Sequence, residues 1–144
     1  MVVIGSDHGG FFLKEEIKRF LEELGKSFED VGTFSADSVD YPDIAKTVAK
    51  KVVENKSIGI LICGTGIGMS IAANKVKGIR CALCHDAYTA EFARRHNDAN
   101  IIAFGGRTTG VEIAKQMVKI FLSTPFDGGR HQRRINKITE LEVL

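Results

Sequence analysis

The stretch Ile58-Gly59-Ile60-Leu61-Ile62-Cys63-Gly64-Thr65-Gly66-Ile67-Gly68 decides the fold of this 144-residue chain. Its first six residues are apolar apart from Gly59, which is typical of a parallel strand that is buried on both faces. Three glycines at alternate positions follow, and such a loop lets the backbone turn tightly into a helix. We therefore predict a strand over Ile58–Cys63, a glycine loop over Gly64–Gly68 and a helix to about Lys75.

The same alternation of a short apolar run and a longer amphipathic stretch extends along the whole chain. It predicts an α/β fold with five parallel strands, helices on both faces of the sheet and an extra C-terminal helix. The other four predicted strands are Val2–Ser6, Ser27–Val31, Ile79–Cys84 and Ile101–Phe104. The other predicted helices are Phe11–Leu24, a helix that Asp43 caps and that ends at Asn55, Ala87–Arg95, Thr108–Leu122, and Arg130–Leu144 with Ile135, Ile138 and Leu141 facing inward.

Composition narrows the class of protein. Residues 1–144 fit one domain, and the net charge of +2 is too small to predict a nucleic-acid partner. The apolar runs are strand-sized, far below the ~20 residues of a membrane span, and the N-terminus lacks the basic region of a signal peptide. Three cysteines form an odd count. With no export signal, they favour a reduced, cytoplasmic setting.

Reactive side chains follow three of the predicted strands. These groups are Asp7-His8, Cys63 with the glycine loop, and Gly105-Gly106-Arg107. Parallel strands place them at one edge of the sheet, where ligands bind in such folds. Cys63 beside a helix start can act as a base or nucleophile, or simply as a small buried residue. The glycine loop can hold a phosphate or an oxyanion, or serve as a tight turn.

Two further groups lie elsewhere in the sequence. His96-Asn97 precedes the fifth strand and so belongs at the opposite edge of the sheet, where it would more easily face a neighbouring subunit's site. Arg130 and Arg134 are four residues apart on one helix and can grip one phosphate. The alternatives for these arginines are a solvated basic face or a nucleic-acid patch, although the interleaved aromatic residues that single strands require are missing.

The pair Cys81-x-x-Cys84 looks like half of a metal or redox site. Residues three apart in a strand point to opposite faces, so we predict that both cysteines pack in the core. No set of cysteines and histidines has the spacing of a zinc site, and no metal site is expected.

Six motifs, in this order, resemble the ribose-5-phosphate isomerase B family, which includes the galactose-6-phosphate isomerase subunits. They are Ser6-Asp7-His8, Asp40-Tyr41-Pro42, Ile62-Cys63-Gly64-Thr65-Gly66, Ser70-Ile71-Ala72-Ala73-Asn74-Lys75, His96-Asn97-Asp98 and Gly128-Gly129-Arg130-His131-Gln132. The resemblance implies a Rossmann-like three-layer α/β/α sandwich. It also implies a homodimer or tetramer whose active sites take residues from two subunits.

The resemblance also implies catalytic roles. Cys63 is the base that moves a proton between C1 and C2, and His96 opens the sugar ring with help from Asp7. Thr65 and the backbone N–H groups of the loop, namely Gly64, Thr65, Gly66, Ile67 and Gly68, stabilise the enediolate. One branch of the family carries a glutamate base just after this loop, where this chain has Met69 and so belongs to the cysteine branch. No hydride moves, so neither a cofactor nor a metal is expected.

Substrate-binding roles follow in the same way. Asn97 binds the sugar from the partner subunit, Tyr41 lines the sugar site, and the phosphate is held by His8, Arg107, Arg130 and Arg134. The implied reaction interconverts ribose 5-phosphate and ribulose 5-phosphate. Two alternatives stay open: the same chemistry on galactose 6-phosphate or allose 6-phosphate, and a phosphate-binding regulatory module, since a fold does not fix a function.

Overall fold

Five parallel strands form one sheet in the computed structural model, which describes all 144 residues. In chain order the strands are β1 (Val2–Ser6), β2 (Phe28–Asp30), β3 (Ile58–Cys63), β4 (Cys81–Leu83) and β5 (Ile101–Gly105). Their spatial order is β2-β1-β3-β5-β4, and every pair is parallel. The predicted sheet is confirmed, with β2 and β4 shorter than the sequence indicated.

Six helices connect or follow the strands. They are α1 (Phe11–Glu23), α2 (Tyr41–Asn55), α3 (Ile67–Ala73), α4 (Ala87–Arg95), α5 (Val111–Ser123) and α6 (Arg130–Glu140). Short 3-10 turns cover His8–Gly10 and Leu141–Val143. None of the helices has the combination of length and apolarity that crossing a membrane requires.

Two separate cores make the fold a three-layer sandwich. Alternate side chains of β3 enter opposite cores, because successive residues of a strand point to opposite faces. Ile60 and Ile62 pack with α1, α4 and α5, whereas Leu61 and Cys63 pack with α2 and α3. Cys63 therefore ends its strand on the α2–α3 side of the sheet.

Two helix predictions need correction. Asp43 does not cap α2, because the helix already begins at Tyr41, with Asp40 at the N-cap position and Pro42 in the first turn. Proline fits there because the first helical residues have no intrahelical partner for their N–H groups. Asp43 instead places a carboxylate in the first turn, where it complements the helix dipole.

The C-terminal helix also differs from its prediction. It ends at Glu140, and of its predicted inward stripe only Ile135 is buried. Ile138 is 43% exposed and Leu141 is 61% exposed, beside a groove of about 640 Å³. The apolar spacing correctly indicated a helix, but it could not show that α6 buries only one of the three side chains.

A buried ion pair fixes the loop that leads to α2. Lys14 of α1 is fully buried, and its Nζ donates to both carboxylate oxygens of Asp30 at 2.7 Å and to the Thr33 carbonyl at 2.6 Å. Lys18 forms a second ion pair with Asp30 at 2.9 Å. Desolvation raises the pKa of the Asp30 carboxyl, but hydrogen bonds from Lys14 and Lys18 outweigh it and hold the pKa below its usual range.

We expect Asp30→Asn to lower the free energy of unfolding by about 3 kcal/mol at pH 7, because it removes the close counter-charge of the buried Lys14 ammonium and leaves only Glu15, at 3.8 Å. A carboxyl with a lowered folded-state pKa stabilises above its unfolded pKa of about 4 and loses that contribution as the pH falls through the folded value. The difference between wild type and variant should therefore shrink below about pH 4. Urea denaturation at several pH values measures it.

Glu16→Gln is the matched control, since Glu16 lies on α1, the helix that carries Lys14. It removes an exposed ion pair to Arg19 at 2.7 Å and should change the free energy of unfolding by no more than about 1 kcal/mol. Equal changes in the free energy of unfolding for the two substitutions would show that the Lys14–Asp30 pair stabilises the fold no more than an exposed ion pair does.

Candidate active site

Cys63 lies at the carboxyl end of β3 with its sulfur pointing into the glycine loop. The side chain is 5% exposed, and its Sγ accepts a hydrogen bond from the Gly66 N–H at 3.1 Å. This hydrogen bond fixes the sulfur against the glycine loop.

The glycine loop is tightly enclosed by β5. Gly66 has a φ of +81°, and a β-carbon there would lie 2.8 Å from the Phe104 Cα, so only glycine fits. Beyond the strands, the Gly106 N–H donates to the Cys63 carbonyl at 2.7 Å and the Arg107 N–H donates to the Gly64 carbonyl at 3.0 Å. The predicted strand-end groups of β3 and β5 are thus hydrogen-bonded together.

The group after β1 joins the same edge. The Asp7 N–H donates to the Ile62 carbonyl at 3.2 Å, and Asp7 Oδ1 accepts from the Gly9 and Gly10 N–H groups at 2.8 and 3.2 Å. A β-carbon on Gly9 would lie 3.0 Å from the Gly64 nitrogen, so the two loops touch. Asp7 is therefore a cap of the His8–Gly10 turn that is also placed beside the glycine loop.

His8 is oriented by the loop that precedes α2. Its Nδ1 accepts a hydrogen bond from the Val39 N–H at 3.2 Å. In a neutral imidazole an accepting Nδ1 leaves the proton on Nε2, so His8 can offer that N–H to a ligand. The Val39 contact was not predicted, because a backbone N–H carries no residue-specific signal.

Arg107 and Tyr41 border the loop from its two ends. A β-carbon on Gly64 would lie 3.3 Å from Arg107 Nη1, and one on Gly68 would lie 2.5 Å from Tyr41 Cε1. Both glycines therefore leave room for these side chains. Cys63, Asp7, His8, Tyr41, Arg107 and the loop residues Gly64, Thr65, Gly66, Ile67 and Gly68 form one group, which we call the cysteine group.

A second group, here called the histidine group, comprises His96, Asn97, Arg130, His131 and Arg134. The rings of His96 and His131 stack with centroids 4.1 Å apart. Arg130 begins α6 and Arg134 follows one turn later. Desolvation lowers the pKa of His131, and the positive charges of these two arginines lower it further. The Arg80 guanidinium donates to the Asn97 and Asp98 carbonyls at 2.8 and 2.9 Å, which fixes the turn that carries Asn97.

The sheet separates the two groups. Cys63 is paired with Gly105, the last residue of β5, whereas His96 and Asn97 precede Ile101, its first residue. At about 3.3 Å per residue, Ile101 and Gly105 are about 13 Å apart along the strand. A single chain therefore holds the cysteine group and the histidine group at opposite edges of its sheet.

The cysteines outside this site behave as predicted. Cys84 is buried in the core with α1 and α5, and Cys81 packs against the core with α2 and α3. Burial raises the pKa of Cys81 to about 12 and that of Cys84 to about 11, so both thiols stay protonated. Because Cys81 and Cys84 lie on opposite faces of the sheet, they cannot coordinate one metal ion together.

Sequence reasoning missed that His131 and Asp127 come close to His96. Donor atoms of these three side chains lie within 4.8 Å of one another. His131 was visible only as part of the basic stretch that begins at Arg130, and its contact with α4 depends on how α6 folds back. No local sequence signal indicates such a contact.

Comparison with known proteins assigns the family. The model of the family described as Ribose/Galactose Isomerase matches residues 2–138. The chain belongs to this family. The ribose-5-phosphate isomerase B of Escherichia coli (strain K12) is 48% identical, with 98% of this chain and 95% of that protein covered. The resemblance inferred from the motifs is thereby confirmed, and so is an isomerase function.

Solved structures agree with the fold. Ribose-5-phosphate isomerase B of Clostridium thermocellum superposes with a TM-score of 0.97 at 50% identity, covering 99% of this chain and 97% of that one. The enzyme of Mycoplasma genitalium, solved with bound ribulose 5-phosphate, superposes with a TM-score of 0.94 at 43% identity, covering 99% and 95%. The predicted three-layer α/β/α fold is confirmed.

We expect Gly66→Ala to abolish most turnover and to destabilise the chain. The new β-carbon meets the Phe104 backbone, and alanine at positive φ costs about 1–2 kcal/mol, so the loop must shift away from Cys63. Measurements of kcat/KM and of urea unfolding test this. Gly110→Ala is the control, because nothing lies within 4 Å of its β-carbon position. A Gly66→Ala variant with normal kcat/KM and normal stability would show that position 66 does not require glycine.

Proposed function

We propose that this chain interconverts ribose 5-phosphate and ribulose 5-phosphate through an enediolate, with Cys63 as the base. The observation that carries the proposal is the Cys63 sulfur. It is buried at a strand end and faces a loop of backbone N–H groups, in a chain that is 48% identical to a ribose-5-phosphate isomerase B. A base beside an oxyanion cradle is what aldose–ketose isomerisation requires.

In the proposed reaction, His96 first donates a proton to the ring oxygen while Asp7 accepts the proton of the anomeric hydroxyl, so that the bond between C1 and the ring oxygen breaks and C1 becomes a carbonyl. The Cys63 sulfur then removes the C2 proton as the C1 carbonyl oxygen gains one, giving the enediol. Loss of the O2 proton and return of the Cys63 proton to C1 complete the ketose. Thr65 and the loop N–H groups stabilise the charge that develops on oxygen between these steps.

The phosphate of the substrate is proposed to bind Arg107, Arg130 and Arg134, together with the Nε2–H of His8. No carboxylate lies within ion-pair distance of these three arginines, whereas Arg80, Arg94 and Arg95 each pair with an acidic side chain. Guanidinium groups without internal partners keep their donors available for a phosphate. Asn97 and Tyr41 would contact the sugar hydroxyls.

We further propose that the working unit is a homodimer, or a tetramer built from such dimers, with shared active sites. The cysteine group and the histidine group lie at opposite edges of one sheet, too far apart to act on one pentose. A two-fold axis brings one subunit's histidine group to its partner's cysteine group. All three cysteines are free, which favours a cytoplasmic location for this unit.

A panel of sugar phosphates tests the substrate. We expect ribose 5-phosphate to give the highest kcat/KM, with allose 6-phosphate and galactose 6-phosphate lower. The family description names galactose as well as ribose, so the hexose phosphates are the alternative substrates. Cys63→Ala should lower kcat on every sugar by about 10²-fold or more, since it removes a general base. Near-normal kcat in Cys63→Ala would disprove the proposed base.

Subunit exchange tests the shared site. Cys63→Ala and His96→Ala should each be inactive, but in a mixed dimer one site carries both lesions and the other carries neither. Activity should therefore return to about half per mixed dimer. The control mixes Cys63→Ala with Arg107→Ala, two lesions of the cysteine group, which leaves no intact site. Equal lack of recovery in both mixtures, with exchange confirmed by mass spectrometry, would mean that each site is built from one chain.

A further inference from the structure

His96, which the proposed reaction uses, lies beside two side chains that the reaction does not use, Asp127 and His131. The cluster offers two imidazoles and one carboxylate, with donor atoms within 4.8 Å of one another. The His96 and His131 rings are stacked at 4.1 Å with an interplanar angle of 14°. Both histidines are partly exposed and Asp127 is exposed in the single chain.

Backbone contacts hold the three side chains together. The Asp127 N–H donates to the Arg95 carbonyl at 3.0 Å, which ties the loop before α6 to the end of α4. Gly128 and Gly129 then turn the chain with φ values of +71° and +57°. This reversal places His131, the second residue of α6, over His96, the residue that follows α4.

The donor set selects a particular class of ion. Two histidines and a carboxylate suit zinc and the neighbouring late transition metals, whereas magnesium and calcium prefer oxygen donors. Zinc ligands lie about 2.0–2.2 Å from the metal, so the donor atoms must approach each other slightly and the stacked rings must rotate. Rotation about side-chain torsions is available to partly exposed histidines.

The surrounding charges oppose a cation. Arg95 pairs with Asp127 at 3.3 Å, and Arg130 and Arg134 lie on the same helix as His131. A metal ion must therefore displace the Arg95–Asp127 ion pair before Asp127 can coordinate it, which favours reversible binding.

We propose that His96, Asp127 and His131 form a reversible inhibitory site for Zn²⁺ or a similar late transition-metal ion. Coordination occupies the His96 nitrogen and turns its ring away from its stacked position, so the residue can no longer serve ring opening. Zinc acts here as a regulator that competes with the Arg95–Asp127 ion pair, and turnover needs no metal at this cluster. The inhibitory effect rests on the proposed role of His96, but the binding site does not.

Zinc binding is measured first, by isothermal titration with ZnCl₂ on the Cys63→Ala protein, which excludes the active-site thiol as a ligand. In that background, Asp127→Asn and His131→Gln should each weaken zinc affinity by at least about tenfold. His85→Gln and Asp37→Asn, exposed residues outside the cluster, are the matched controls and should bind as the parent does. Loss of binding in Cys63→Ala itself, or unchanged affinity in both cluster variants, would overturn the proposal.

Inhibition is measured next, on otherwise wild-type enzyme. Zn²⁺ should lower turnover of ribose 5-phosphate, and a chelator should restore it. Asp127→Asn should keep basal kcat/KM within about twofold while needing at least about tenfold more Zn²⁺ for half inhibition. Binding at the cluster without any loss of turnover would overturn the inhibitory role. Absence of turnover on every sugar phosphate, with zinc binding intact, would instead disprove the proposed function but would still support the zinc-binding site.

Discussion

The hydrogen bonds that continue the sheet beyond its last residues are the interaction on which the rest of the site depends. Carbonyls of Ile62, Cys63 and Gly64 accept N–H groups of Asp7, Gly106 and Arg107. Three loops that would otherwise move independently are thereby joined at backbone level. Catalytic geometry must be held within about 0.5 Å, and backbone hydrogen bonds achieve this more rigidly than side-chain contacts.

These hydrogen bonds demand glycine. A β-carbon on Gly10 would lie 2.4 Å from the Ile62 carbonyl oxygen, and one on Gly106 would lie 2.4 Å from the Gly9 carbonyl oxygen. The glycines therefore do more than allow a turn: they let three strand ends approach within hydrogen-bonding distance. At Gly64 and Gly68 the missing β-carbon leaves room for the side chains of Arg107 and Tyr41. Glycines thus determine both the backbone packing and the shape of the candidate site.

Most of the cysteine group could be predicted from the sequence, because parallel strands oblige the residues that follow them to share one edge. Asp7, Cys63 and Arg107 needed only the strand assignments to be placed together. Contacts that depend on tertiary folding could not be predicted. The stacking of His131 on His96 requires α6 to return to α4, and the exposure of Ile138 and Leu141 depends on which surface α6 packs against. A helical period shows which residues share a face, but not what that face meets.

The distribution of arginines extends this reasoning from shape to charge. Four of the eight arginines form ion pairs, and Arg80 and Arg94 among them fix the turn before β5 through Asp98. The four without acidic partners are Arg107 in the cysteine group, and Arg130, Arg133 and Arg134 on α6. An arginine held by a carboxylate has little left to offer a phosphate, since the fork of donors that matches one also matches the other. The proposed phosphate site would therefore use guanidinium groups that the scaffold leaves unpaired, because three of these four arginines, Arg107, Arg130 and Arg134, belong to the cysteine group and the histidine group. A net charge of only +2 conceals this division, because pairing, and not the total charge, determines where an anion can bind.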